Sequence, residues 1–382
     1  MKRFFAWMMV LMFLLLPFAV PVRAADFAGT VDAESAILME IRTGRVLYEK
    51  NADKPLPPAS VTKIMTVLLV AEAIDAGTIA LTDTVTASTH ASKMGGSQIY
   101  LKEGEQMSVD DLLKSVVVAS ANDAAVALAE YVAGSEEAFV AKMNERAAEL
   151  GMEHTHFENT NGLDDTTTAH LTTARDIALM SCELLKHEWI QNYTKIWMDT
   201  VRDGAFGLTN TNRLIRFYKG ATGLKTGSTS KAKFCISASA ERDGLGLVAV
   251  IMASPTRDVR NAAAASLLDY GFANFSYWHK ESEPVGDVPV TGGTTRTVSA
   301  VSADFSMVTD KGADKKATAE IILPETLAAP VEKGAKIGEI VYRIGETELG
   351  RADVVAGETV EKIGFFTLLP RMFFRMIGAK AR

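Results

Sequence analysis

The chain has 382 residues and a formal net charge of −7 at pH 7. This acidic balance argues against nucleic acid as a partner, because a surface that binds nucleic acid carries an excess of positive charge. Two cysteines, Cys182 and Cys235, are too few for a disulfide framework in a chain of this length. The length itself allows two domains and a sizeable core.

The first residues are typical of a secretory signal. Two basic residues precede an apolar run over 4–20, and Val22 and Ala24 fit the small-residue pattern of a cleavage site. We expect residues 1–24 to be removed, which leaves a more acidic exported chain. A retained anchor helix is the alternative, although Pro17 and Pro21 disfavour it.

The order of predicted elements is strands, a helical insert, strands and a helix. Residues 35–41 and 45–50 have the pattern of a β-hairpin, and an apolar run after Pro58 predicts a buried central helix that Gly77 ends. The further predicted helices span 110–118, 123–133, 136–150, a segment 172–185 capped by Thr172, and 258–270, which Gly271 ends. The further predicted strands span 224–229, 232–241 and 245–254.

This order predicts an α+β fold over 26–277, in which one antiparallel five-stranded sheet is covered by helices and interrupted by a helical insert. The character of the sequence changes near 281–284. Short segments rich in Thr, Val and Gly follow, such as 318–323 and 337–344, and they predict a small all-β domain over 282–360.

The C-terminal segment 363–382 predicts an amphipathic helix. Polar and basic residues, including Arg371, Arg375 and Arg382, recur at the helical period on an otherwise apolar segment. The segment is too short and too charged to span a bilayer, so we expect it to lie in the membrane interface with its cations toward anionic lipid. A terminal helix packed on the protein's own core is the alternative.

Ser60 and Lys63 bring a hydroxyl and an amine together at the start of the central helix. Residues at i and i+3 are neighbours on a helix. Serine needs a base to become a nucleophile, and burial can lower the pKa of a lysine until its amine accepts a proton at neutral pH. Taken alone, the spacing is common and more often reflects a serine that caps the helix and a lysine that reaches to water.

Two further segments supply possible partners for Ser60. Ser120-Ala121-Asn122 lies between two predicted helices, where it can present a hydroxyl and an amide in one direction, or simply cap a helix. Gly223-Leu224-Lys225-Thr226-Gly227-Ser228 begins a strand. It supplies a fixed cation at Lys225, a hydroxyl at Thr226, and at Gly227 a position that a ligand backbone can approach closely. The alternative is a strand edge protected by a lysine.

In chain order the three segments read Ser-x-x-Lys, Ser-x-Asn and Lys-Thr-Gly, the motif set of serine β-lactamases and penicillin-binding proteins. Over nearly its whole length the chain resembles the low-molecular-mass penicillin-binding proteins, the serine-type D-alanyl-D-alanine carboxypeptidases of peptidoglycan metabolism. Further matching segments are Thr43-Gly44, Asn161-Gly162-Leu163, Arg260 and Leu267-Leu268-Asp269-Tyr270-Gly271-Phe272. The resemblance implies a β-lactamase/transpeptidase-like fold, a β-rich second domain and a membrane-associating C-terminal helix.

The resemblance also implies roles for individual residues. Ser60 attacks the carbonyl of the penultimate D-alanine, Lys63 is the base, and Ser120 passes the proton to the departing D-alanine. Six residues are implied to bind the substrate through a peptide amide, a carboxylate or the oxyanion: Asn122, Lys225, Thr226, Gly227, Ser228 and Arg260. No metal and no organic cofactor is implied.

The implied partners are a stem peptide ending in D-Ala-D-Ala, β-lactams and a membrane surface. The implied location is the outer face of the bacterial cytoplasmic membrane, to which the protein binds peripherally. Ala121 replaces the Asp usual in class A β-lactamases, and Glu158 lies in surroundings unlike the box that carries their deacylating carboxylate. Both departures favour a carboxypeptidase. The alternatives are a D,D-endopeptidase, a β-lactamase-like hydrolase and a non-catalytic peptidoglycan-binding protein. A zinc peptidase is a further alternative, which the scarcity of histidines disfavours because they are common zinc ligands.

Overall fold

The computed structural model describes residues 27–364. Its strands are, in chain order, β1 Ser35–Glu40, β2 Val46–Lys50, β3 Thr84–Thr86, β4 Gln106–Ser108, β5 Met198–Val201, β6 Phe206–Thr209, β7 Ala221–Thr229, β8 Lys233–Arg242, β9 Leu245–Ser254, β10 Phe275–Lys280, β11 Pro284–Thr291, β12 Thr297–Ser302, β13 Phe305–Asp310, β14 Thr318–Ile322, β15 Leu327–Ala328, β16 Lys336–Ile344 and β17 Thr347–Ala356.

The α-helices among the described residues are α1 Lys63–Asp75, α2 Thr89–Ser92, α3 Val109–Lys114, α4 Asn122–Ala133, α5 Glu136–Glu149, α6 Ala174–Leu185, α7 Gln191–Thr194, α8 Leu214–Phe217 and α9 Arg257–Asn274. A 3₁₀ turn, Ala59–Thr62, precedes α1, and a π-helical turn, Ser115–Ala119, extends α3.

A five-stranded sheet with the order β2-β1-β9-β8-β7 carries the first unit, and each neighbouring pair of strands is antiparallel. Side chains alternate between its faces because the period of a strand is two residues. Ile37 and Met39 pack with α1 and α6 in one core, whereas Ala36 and Leu38 pack with α9 in another. The predicted five-stranded antiparallel sheet, covered by helices and interrupted by a helical insert, is therefore present, and the helices cover both of its faces.

Three predicted helix limits were wrong. The prediction that Gly271 ends the last helix fails because α9 continues to Asn274. A Cβ atom at Gly271 would lie 2.4 Å from Cδ1 of Leu247, so this glycine lets the helix approach the sheet closely. Thr173, not Thr172, caps α6 by accepting the N–H of Asp176. The helix predicted over 110–118 divides into α3 and the π-helical turn that leads to the Ser120 loop.

The second unit is built from β-strands, as predicted, with one 3₁₀ turn at Asp314–Lys316. Its six-stranded sheet has the order β14-β16-β17-β12-β11-β15, and β10 pairs with β13 in a separate two-stranded sheet. Trp278, Phe305 and Tyr342 form an aromatic cluster, and the rings of Phe305 and Tyr342 stack at 4.5 Å. The sequence did not predict β10. The domain limits 26–277 and 282–360 stay a prediction.

The signal segment 1–24 and almost all of the helix predicted over 363–382 lie outside the described residues. Between residues 27 and 364, no helix combines the length and the apolar character that crossing a membrane would require.

Candidate active site

Ser60 lies in the 3₁₀ turn immediately before α1, so the prediction that it occupies the first turn of an α-helix was wrong by a few residues. Lys63 is the first residue of α1. Residues at i and i+3 eclipse each other in a 3₁₀ turn, which keeps the two side chains together. Ala59 has a left-handed φ of 49°, an uncommon conformation for a residue other than glycine, and Ser60 follows this bend.

The Lys63 amine is fully buried and has three partners. Its Nζ atom lies 3.0 Å from Oγ of Ser60, 2.5 Å from Oδ1 of Asn122 and 2.8 Å from the carbonyl oxygen of Asn161. A neutral amine has two N–H groups and one lone pair, which match two acceptor oxygens and one hydroxyl donor. Burial, and after it the charge of Lys225, lowers the pKa of Lys63 well below 10.5. The site therefore favours an amine that accepts the proton of Ser60.

Ser120 faces a second buried lysine. It has a left-handed φ of 63° at the end of the π-helical turn, and its Oγ accepts a hydrogen bond of 2.7 Å from Nζ of Lys225. The same Nζ also donates to the carbonyl oxygen of Thr226 at 3.0 Å. Burial, and after it the charge of Arg260, lowers the pKa of Lys225 to about 7. At neutral pH Lys225 is therefore only partly protonated, whereas the sequence had suggested a permanent cation.

Asn122 joins the two motif segments. Its Oδ1 accepts from Lys63, and its Nδ2 donates to the carbonyl oxygen of Gly95 at 2.6 Å. Asp123, the next residue, accepts hydrogen bonds from the backbone N–H groups of Ile99 and Leu101. These contacts attach the 95–101 loop to the start of α4, so the position of the Asn122 amide is set from two sides.

Gly227 does not leave room for a ligand in the way that the sequence suggested. A Cβ atom at this position would lie 2.8 Å from both the carbonyl oxygen of Pro58 and the amide nitrogen of Ser60. The missing side chain therefore admits the protein's own backbone, which brings the turn that carries Ser60 against β7. Ser228 follows in the strand and is exposed in the cleft.

Thr226 and Arg260 lie at one end of the cleft. Oγ1 of Thr226 donates to Oγ1 of Thr211 at 2.8 Å. Arg260 is buried and donates to the carbonyl oxygen of Cys235 at 3.2 Å. Burial lowers the pKa of Arg260 to about 10, with a further contribution from Arg257. This end of the cleft is therefore positively charged.

The cleft has a volume of about 590 Å³, and Ser60 and Ser120 lie in its wall. Besides Thr226, Gly227, Ser228 and Arg260, its lining includes residues that the sequence analysis did not select: Ser97, Trp197, Thr209, Asn210, Thr211, Arg213, Phe217 and Arg257. The sequence also gave Asn161 no role, although this residue lies in the segment Asn161-Gly162-Leu163 that resembles the family. Its contribution is a backbone carbonyl, which no side-chain pattern reveals.

Glu158 does not line this cleft. Its carboxylate accepts hydrogen bonds of 2.9 Å from the backbone N–H groups of Thr168 and Ala169. It therefore stabilises the 158–170 loop instead of facing Ser60. Among the described residues, no group of three or more His, Cys, Asp and Glu side chains is arranged to hold a metal ion.

Comparisons with known families account for both units. A family model described as D-alanyl-D-alanine carboxypeptidase matches residues 21–256. A second, described as Penicillin-binding protein 5, C-terminal domain, matches residues 277–362.

Individual proteins agree with the family models. D-alanyl-D-alanine carboxypeptidase DacF of Bacillus subtilis is 43% identical over 347 residues, which are 89% of each chain. DacC of Escherichia coli is 35% identical over 93% of this chain and 91% of its own. The crystal structure of penicillin-binding protein 5 from Haemophilus influenzae superposes with a TM-score of 0.78 at 30% identity, over 87% of this chain and 99% of that one. The chain therefore belongs to the D-alanyl-D-alanine carboxypeptidase family, and it is a serine-type peptidase of the penicillin-binding class.

Proposed function

We propose that the protein removes the terminal D-alanine from peptidoglycan stem pentapeptides through an acyl-enzyme on Ser60. The observation that carries this proposal is the environment of Lys63, whose Nζ donates to Oδ1 of Asn122 and to the carbonyl oxygen of Asn161 and lies 3.0 Å from Oγ of Ser60. Its lowered pKa favours the neutral amine, which would direct its lone pair at that oxygen. An amine in this position can take the hydroxyl proton as Oγ attacks a carbonyl carbon.

Acylation breaks the peptide bond to the terminal residue. Oγ of Ser60 bonds to the carbonyl carbon of the penultimate D-alanine, and the hydroxyl proton passes to Nζ of Lys63. Ser120 also lines the cleft and accepts a hydrogen bond from Lys225. We assign Ser120 to relaying this proton to the departing amine, which leaves as D-alanine, so that Lys63 is neutral again. Water then attacks the ester and frees the shortened peptide and Ser60.

The backbone N–H groups of Ser60 and Ser228 are the proposed oxyanion donors. The close approach at Gly227 brings the amide of Ser60 against β7, next to Ser228. Such donors act in the transition state, and the loss of one typically costs about 2.7–4 kcal/mol of barrier. A substrate that engages both donors lies with its scissile carbonyl beside Oγ of Ser60.

Recognition of the free carboxylate is assigned to Thr226 and Arg260, with Lys225 adding positive potential. Thr226 and Arg260 line the cleft, as do Arg213 and Arg257. Lys225 donates to Ser120 in the cleft wall, and the charge of Arg260 helps to lower its pKa. Asn122 is assigned to the amide region of the bound peptide. β-Lactams mimic this substrate, and the resulting acyl-enzyme hydrolyses slowly. A bound carboxylate also favours the protonated form of Lys225.

We further propose that the chain is organised as a catalytic domain over 26–277, a β-rich domain over 282–360 and a membrane-associating helix over 363–382. The family is periplasmic or associated with the cell wall, in agreement with the predicted signal over 1–24. The basic stripe of the tail supports peripheral attachment to the outer face of the cytoplasmic membrane. Deletion of 363–382 should release the protein from membranes and leave hydrolysis of a soluble peptide intact. A loss of that activity in the truncated protein would contradict separate roles.

The test of the activity is D-alanine release from a diacylated Lys-D-Ala-D-Ala peptide by the wild type and by Ser60→Ala. We expect release by the wild type only, together with labelling by a fluorescent penicillin. Labelling without release would indicate a different leaving group. Rapid loss of the penicillin label would indicate a β-lactamase, and the absence of both activities would indicate a binding protein.

A further inference from the structure

A chain of hydrogen bonds links His170 to the backbone directly before Ser60. Nε2 of His170 lies 2.8 Å from Oγ1 of Thr62, and Oγ1 of Thr62 donates to the carbonyl oxygen of Ala59 at 2.8 Å. At the other side of the ring, the backbone N–H of Glu158 donates to Nδ1 of His170 at 2.9 Å. This series of hydrogen bonds ends at Ala59, the residue directly before Ser60.

These contacts determine the tautomer of His170. Nδ1 accepts the N–H of Glu158, so it carries no proton, and the ring hydrogen of the neutral imidazole is on Nε2. The hydroxyl of Thr62 gives its own proton to Ala59, so it receives the Nε2–H of His170. Every group in the chain therefore has a defined donor or acceptor role.

The segment that carries His170 is anchored to the chain near Ser60. The residue after it, Leu171, exchanges two backbone hydrogen bonds with His156, and Thr172 exchanges two with Leu56. The ring itself is 4% exposed and packs edge-on against Phe157 at 5.7 Å. Burial lowers its pKa to about 4, against the charges of Glu158 and Asp164 and together with that of His156. The imidazole is therefore neutral at neutral pH.

The carbonyl oxygen that receives this chain belongs to a strained residue. Ala59 has a left-handed φ of 49°, a conformation that is unfavourable for an L-residue. Gly162 packs against the same oxygen, because a Cβ atom there would lie 1.9 Å from it. The bend before Ser60 is thus stabilised from outside, by the hydroxyl of Thr62 and by the loop that also offers the Asn161 carbonyl to Lys63.

We infer that His170 is a positioning residue for the nucleophile: its Nε2–H orients the hydroxyl of Thr62, which in turn holds the strained bend at Ala59 that aims Ser60. This inference rests on the proposed function. His170 hydrogen-bonds Thr62 and the backbone of Glu158 rather than Lys63, and it does not line the cleft. Its effect is therefore on the geometry of Ser60 and not on proton transfer or carboxylate binding.

Two substitutions of His170 separate this role from simple packing. The amide of His170→Gln can donate to Thr62 from the position of Nε2, whereas His170→Asn keeps an acceptor for Glu158 and cannot reach Thr62. A misplacement of about 1 Å can reduce a rate about 100-fold. We expect a loss of 10-fold to 100-fold in kcat for His170→Asn with little change in KM, since the carboxylate end is untouched. His170→Gln should stay within about 3-fold of the wild type.

A second matched pair tests the same link at Thr62. Thr62→Ser keeps the hydroxyl and should retain most of the acylation rate with a fluorescent penicillin. Thr62→Val removes the hydrogen bonds to His170 and to Ala59, so its acylation rate should fall as in His170→Asn. Thermal melting identifies any variant that fails to fold, in which case the other pair carries the test.

Equal rates in His170→Gln and His170→Asn, or in Thr62→Ser and Thr62→Val, would overturn the inference. An inactive wild type would instead refute the proposed function. A fully active wild type with a fully active His170→Asn would refute only the role of His170.

Discussion

Lys63 and Lys225 lie on different elements, α1 and β7, and the charge of Lys225 is one of the causes that lower the pKa of Lys63. Both amines are buried, and each contacts a different serine, Ser60 or Ser120. Two neighbouring cations in a site of low polarity disfavour each other's protonation. The structure therefore uses one lysine to keep the other available as a base.

The pH profile of acylation tests this coupling. Activity should fall as the pH is lowered, because protonation of Lys63 removes the lone pair that faces Ser60. In Lys225→Gln the neighbouring cation is gone, so the pKa of Lys63 rises and the acidic limb should move to higher pH. Lys225→Arg keeps the charge and should leave that limb in place. The second-order rate of penicillin acylation, measured across the pH range, would contradict the coupling if both variants shared one profile.

Gly162 tests the close contact at the bend before Ser60. Gly162 and Gly134 have similar φ values, 82° and 85°, but only Gly162 has atoms within reach of an added Cβ. Gly134→Ala should therefore lose about 1–2 kcal/mol of unfolding free energy from backbone strain alone. Gly162→Ala should lose about 1–3 kcal/mol more from overpacking, and most of its activity. Urea unfolding of both variants measures the difference, and equal losses would argue against the contact.

His170 predicts a pH-dependent stability. Its pKa is about 4 in the folded state against 6.5 without burial, so the unfolded chain binds the proton first as the pH falls. The stabilisation is complete above pH 6.5 and declines toward pH 4, by up to roughly 3 kcal/mol.

Urea unfolding at pH 7 and at pH 4.5 should therefore show a larger loss in the wild type than in His170→Gln. The other titrating groups are common to both proteins, so their contribution cancels in the comparison. An equal loss in the two proteins would show that His170 is not held neutral.

The position of the 95–101 loop should depend on the carboxylate of Asp123. The side chain is buried and accepts the N–H groups of Ile99 and Leu101, besides that of Ala124. Asp123→Asn places an amide N–H against backbone donors, which should cost about 1–3 kcal/mol and reduce activity through the Asn122 amide. Asp287→Asn, at an exposed position of the β-rich unit, makes the same change in charge and should be neutral in melting and activity assays.

Strongly patterned elements could be predicted from the sequence. The apolar segment Leu245–Ser254 is a strand with the predicted limits, because it is buried on both faces in the middle of the sheet. The last helix could not be delimited in this way. Gly271 has the sequence signature of a helix end. In the structure its missing side chain instead leaves room for Leu247 of the sheet, a contact that only the fold reveals.

For the site, the motif side chains were predictable and the backbone partners were not. The motif set implied that its side chains lie close together. The distances between Ser60 and Lys63 and between Ser120 and Lys225 agree with this prediction. The carbonyl oxygen of Asn161 has no side-chain signature, and the role of Gly227 depends on a neighbour distant in sequence.

The central claim is that Ser60 is the acylated nucleophile. The most direct measurement is mass spectrometry of the penicillin-treated protein, intact and after proteolysis. We expect one adduct, on the peptide that contains Ser60, and none on Ser60→Ala. An adduct on any other residue, or undiminished labelling of Ser60→Ala, would contradict it.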